Sequence, residues 1–122
     1  MNLNYQNIAV LEPDLDILNL YEIFLHEFGY SFKGFTNPRS LLEYLHSEPK
    51  QIGFLIIEYK LGGSITGCEI ADKVNSIDSK IKMAFLTGYT DIVNNRLKLE
   101  IIMKPISITR LLKLVKRYME QS

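Results

Sequence analysis

The sequence predicts an α/β fold built on a parallel sheet, and three observations carry the prediction. Four short apolar runs each stop on a polar or charged residue: IAVL before Glu12, FLII before Glu58, MAFL before Thr87 and IIM before Lys104. Segments with helical spacing lie between such runs, and that alternation is the signature of βα units around a parallel sheet. The 122 residues suit one domain with a proper core, spanning 1–122. In open sheets of this kind, ligands bind in the crevice outside the carboxyl ends of the strands. Two acids, a hydroxyl and an ammonium are therefore expected to meet in one place.

The elements follow in order. After the first strand, Asp14 can cap a helix whose apolar positions Ile17, Leu18, Leu20, Tyr21, Phe24, Leu25 and Phe28 recur at three- and four-residue steps, with Gly29 ending it. A second strand over 31–35 leads to Asn37-Pro38, an N-cap followed by proline at the first helical position, and to a helix carrying Leu41, Leu42 and Leu45. The third strand ends at Glu58, and the glycine-marked loop LGGSITG hands over to a helix with Ile70, Ala71 and Val74. The fourth strand covers 82–86, and the short polar stretch 89–99 is the weakest helix candidate. The fifth strand covers 101–103, and Ser107 caps a last helix with Ile108, Leu111, Leu112, Val115 and Met119 on its core face.

Composition narrows the function classes. Fourteen acids balance fourteen Lys plus Arg, so a nucleic-acid-coating surface is not expected. Cys68 is the only cysteine, which excludes an internal disulfide and suits a reducing, cytoplasmic setting. No apolar stretch approaches membrane-spanning length, and the N-terminus lacks the layout of a signal peptide.

On this frame the sequence resembles the receiver domain of two-component response regulators, a doubly wound, five-stranded (βα)5, flavodoxin-like fold. The likeness rests on Glu12-Pro13-Asp14 after the first strand, Glu58 after the third, Thr87-Gly88 after the fourth and Lys104-Pro105 after the fifth. The resemblance implies that Glu58 stands where the family has its phosphate-accepting aspartate. Glu12 and Asp14 would be the acids of the metal-binding loop, and Thr87 and Lys104 the contacts to phosphoryl oxygens. It also implies protein partners such as a sensor kinase or an output protein, and no enzymatic role.

Two departures weigh against the family's chemistry. Glu58 carries an extra methylene, and a misplacement of about an ångström can cost a phosphoryl transfer roughly a hundredfold. Pro13 occupies the place of the second acid and offers no side-chain ligand, so Mg²⁺ would depend on Glu12 and Asp14 alone and no cofactor is expected. Glu58 then reads either as a fixed mimic of the activated state, reaching toward Lys104 and Thr87, or as a structural ion pair with Lys104. Ile101 stands three positions before the lysine, where the family's switch places an aromatic residue. The interval from Thr87 to Lys104 is shorter than usual by about a helical turn, which predicts a shortened fourth helix, reduced to a turn or loop.

In the last helix Leu114 and Tyr118, framed by Lys113, Lys116, Arg117 and Arg110, suggest a docking face for an acidic protein surface or for a second copy in a homodimer. His26 and His46 lack partners at metal-ligand spacing, and Cys68 has no activating base in sequence. The stretch from Gly62 to Gly67 has P-loop glycine spacing, but Cys68 stands where a lysine is required. The expectation is a stand-alone, phosphorylation-independent receiver that delivers its output by docking. The alternatives are a receiver phosphorylated through an unorthodox site and a small-molecule-binding flavodoxin-like protein.

Overall fold

The computed structural model describes residues 3–120. In chain order the elements are β1 (Asn7–Leu11), α1 (Leu15–Glu27), β2 (Ser31–Phe35), α2 (Pro38–Ser47), β3 (Ile52–Ile57), α3 (Gly67–Ile77), β4 (Lys82–Thr87), β5 (Glu100–Met103) and α4 (Ile108–Met119). The five strands pair in parallel in one sheet of order β2-β1-β3-β4-β5. The chain thus winds outward from β1 in both directions, as the doubly wound reading requires, and the order reverses beside β1 and β3.

Strand alternation divides the core in two. Ile8, Val10, Phe54, Ile56, Ala84, Leu86 and Ile102 point to the face covered by α1 and α4. Ala9, Leu11, Leu55, Ile57, Met83 and Phe85 point to the face covered by α2 and α3. Every residue of β3 is buried, which is why its sequence is an unbroken apolar run.

The caps read from the sequence are present. The Asp14 side chain accepts from the N–H groups of Asp16 and Ile17, Asn37 from Ser40 N–H, and Ser107 from Arg110 N–H. Each satisfies orphan donors of a first turn. Gly29 follows α1 at φ +88°, a conformation that a side chain disfavours. At Gly67 a Cβ would lie 2.5 Å from the Glu58 carbonyl oxygen, so glycine there lets α3 begin directly against the end of β3.

The fourth helix is reduced to a loop, as the short interval predicts, since residues 88–99 contain no helix. Asn95 instead accepts from Leu99 N–H and donates to the Leu99 carbonyl, a local bond that competes with helix formation. Tyr89, Ile92, Leu97 and Leu99 pack on the core where a helix would have lain. Two expectations are corrected, the first being the rotation of α4, which buries Leu111, Leu114 and Val115 and leaves Ile108 41% exposed. The second concerns α1, where Leu20 and Phe28 face solvent although their spacing suggested core. Among the described residues no helix is long and apolar enough to cross a membrane.

Candidate functional site

The strand ends bring the expected residues together at the carboxyl edge of the sheet. Backbone bonds extend the ladder one step past the strands: Glu12 N–H donates to Phe35 O, Glu58 N–H to Leu11 O and Lys104 N–H to Thr87 O. Glu12, Glu58, Thr87 and Lys104 therefore project from adjacent, rigidly paired positions.

Lys104 organises the site. Its Nζ donates to Glu12 Oε1 at 2.5 Å and to Glu58 Oε1 at 2.7 Å. The side chains of Glu12 and Glu58 are only 6% and 11% exposed, and that of Lys104 23%. Carboxylates this dry need a cation and hydrogen bonds to remain charged. The remaining oxygens are also engaged, with Glu12 Oε2 accepting from Asp14 N–H at 3.1 Å and Glu58 Oε2 from Lys60 N–H at 3.3 Å. Burial pulls the Lys104 pKa down, but hydrogen bonds and charge from Glu12 and Glu58 outweigh it and leave the ammonium above its usual value. Lys104-Pro105 is a cis peptide bond.

Thr87 is 1% exposed and its Oγ1 accepts from Tyr89 N–H at 3.1 Å. Tyr89 stacks on the buried ring of Tyr59 with centroids 5.3 Å apart, and Lys60 Nζ lies 4.6 Å over the Tyr89 ring. These contacts pin the start of the 88–99 loop beside the site. The sequence reading missed them because stacking between residues 30 apart leaves no periodic signal. Tyr21 was also missed, having been read as a core position of α1. Burial raises its pKa, Lys104 lowers it, and Glu12 and Glu58 raise it again, so its hydroxyl lies in the field of the charged triad.

The residues do not fit Mg²⁺. Magnesium requires near-octahedral oxygen ligands, whereas an ammonium occupies the space between the two buried carboxylates and each of their oxygens has a donor. Asp14, the other expected ligand, is exposed and its Oδ1 caps α1. Among the described residues there is no group of three or more His, Cys, Asp or Glu side chains able to hold a metal.

The remaining site residues separate. Ile101 lies on the edge strand β5 and is 42% exposed. Leu114 is 5% exposed within the core, so it is not part of a docking face. Tyr118 stacks on Phe54 at a centroid distance of 4.1 Å and donates its hydroxyl to Glu100 at 2.7 Å, while Arg117 pairs with Glu100 Oε1 at 2.5 Å. Burial and the Glu100 carboxylate push the Tyr118 pKa up to about 12. Lys113 alone of these four is an exposed side chain without a packing role in the described contacts. Cys68 is buried, and burial followed by the charges of Asp72 and Glu69 pushes its thiol up, the opposite of an activated nucleophile.

No protein-family model matches the sequence, and no curated protein does. Solved structures match over nearly its whole length. A CheY-like response regulator receiver domain protein from Methanospirillum hungatei is 22% identical, with 94% of each chain covered and a TM-score of 0.83. The receiver domain of NtrX from Brucella abortus is 20% identical over 95% of this chain and 100% of that one, with a TM-score of 0.83. A response regulator receiver protein from Sinorhizobium medicae is 17% identical over 97% of both chains, with a TM-score of 0.82. The chain has the flavodoxin-like fold of response regulator receiver domains.

Proposed function

We propose that this chain is a receiver-type signal-transduction module that works without phosphorylation and without enzymatic activity, acting through contacts with protein partners such as a sensor kinase or an output protein. One observation supports this above the others: the Lys104 ammonium is held between the buried carboxylates of Glu12 and Glu58. For phosphoryl transfer the lysine would have to leave these carboxylates to meet a phosphoryl oxygen, and the acids would have to hold a metal. Here one ammonium is shared by two carboxylates, and Glu58 brings its negative charge to Lys104 without chemistry. The longer glutamate thus supports one standing arrangement of the site rather than two that exchange.

Incubation with a small acyl phosphate and Mg²⁺, followed by intact mass measurement, tests the reading. An unchanged mass is the expected result. A stable phosphoryl adduct on Glu58 would replace it with a receiver that uses an unorthodox acid.

A further inference from the structure

Strand β5 is the last of the sheet, so one of its edges carries no neighbouring strand among the described residues. Helix α4 brings one flank to that edge, since Arg110, Lys113, Leu114 and Arg117 stand at i, i+3, i+4 and i+7. Between helix and strand lies an open cleft of about 320 Å³. Sites for small organic ligands begin at about this size, roughly 300–1,000 Å³.

The floor of the cleft is apolar and recessed. Ile102 and Leu114 are 2% and 5% exposed, and partly buried Ile106 joins them. A flat protein surface does not reach side chains this deep, whereas a narrow ring or a branched chain does.

The walls are cationic. Arg110, Lys113 and Arg117 line the cleft with a single acid, Glu100. Glu100 is already engaged, its Oε1 accepting from Arg117 at 2.5 Å and from the Tyr118 hydroxyl at 2.7 Å. Arg110 and Lys113 take part in no ion pair among the described residues. Solvated cations on a helix flank are ordinary, but here two of them stand one turn apart beside an apolar floor. An inorganic anion would leave that floor wet, and a neutral apolar molecule would leave both cations unused. The lining matches a molecule that has both parts.

We propose that this cleft binds a small organic anion, a carboxylate, sulfonate or phosphate ester carried on a compact aromatic or branched apolar body. Ile102, Ile106 and Leu114 hold the body, and Arg110 and Lys113 hold the charge. Exposed ion pairs contribute little each, so the floor supplies most of the affinity and the cations select for the anion. A minimal ligand is then held with a dissociation constant on the order of 0.1–1 mM. The cleft shares no residue with the Lys104 site, and failure of the proposal would leave the reading of that site untouched.

Titration of the isotope-labelled full chain with naphthoate, followed through its backbone amide shifts, tests the proposal. Saturable shifts are expected around Ile102, Ile106, Arg110 and Lys113. Neutral naphthalenemethanol and inorganic phosphate each carry half of the chemistry and are expected to bind at least about tenfold more weakly. Arg110→Gln combined with Lys113→Gln, both at exposed positions, is expected to keep the circular dichroism spectrum, to weaken naphthoate roughly tenfold and to leave naphthalenemethanol unchanged. Absence of saturable shifts up to about 10 mM naphthoate, shifts centred elsewhere, equal binding of the alcohol or of phosphate, or an affinity that survives the double substitution overturns the proposal.

Discussion

Glu58 and Lys104, 46 residues apart in the chain, meet at 2.7 Å. The same ammonium holds Glu12, 92 residues away, so three strand ends share one positive charge. This network has consequences that can be measured.

Removing the cation leaves two carboxylates facing each other in a dry site. Breaking one partner of a buried pair costs about 3–5 kcal/mol, and partial exposure of Lys104 brings the expected loss for Lys104→Met to about 2–3 kcal/mol near neutral pH. Urea unfolding of the wild-type chain and the variant measures the difference.

Restoring the short acid alone should not restore chemistry. Glu58→Asp is expected to remain unmodified by acyl phosphate and Mg²⁺, while Glu58→Asp combined with Pro13→Asp gains a phosphoryl adduct by intact mass. If the single variant is modified, side-chain length alone explains the wild-type behaviour.

Alkaline titration should reveal Tyr118. Its folded pKa is raised from 10.0 to about 12, so its contribution to stability is complete below pH 10 and is lost as pH rises through about 12. Lys104 has the same sign, its contribution being complete below 10.5 and lost above its raised folded value. An ultraviolet titration should show a tyrosine ionising near pH 12, and Tyr118→Phe should remove that step.

The buried position of Leu114 sets a contrast with its neighbour. Leu114→Ala is expected to cost about 2–4 kcal/mol by creating a core cavity, whereas exposed Lys113→Ala should change stability by less than about 0.5 kcal/mol. Chemical denaturation of both variants checks this.

The loop beside the site is pinned by the Tyr59–Tyr89 stack and by Thr87 Oγ1. Tyr89→Ala should raise amide hydrogen exchange over residues 88–99 while leaving β3 protected.

Strands and caps were legible in the sequence because their causes are local. An apolar run ending on a charge marks a buried strand, and Asp14, Asn37 and Ser107 announce helices by their ability to accept from the next turn. The meeting of Glu58 with Lys104 was legible too, since parallel strands align their carboxyl ends. The rotation of α4 was not. Its sequence offers apolar residues at both 108 and 112 and at 114 and 118, and the choice between these faces depends on which fits Phe54 and the sheet beneath. The loss of a fourth helix over 89–99 was legible in its short, polar sequence, but not the asparagine bonding and the aromatic stacking on Tyr59 that give the backbone and side chains other partners.

By itself the sequence determined the order of elements, the parallel sheet and the set of polar residues at its edge, because hydrophobic periodicity and capping act within a few residues. Only the tertiary structure decided that Glu12 joins Glu58 on Lys104, that Asp14 serves its helix instead of a metal, and that Leu114 is core. Those outcomes depend on distances between residues far apart in the chain, which are fixed when the sheet and its two helical layers pack together.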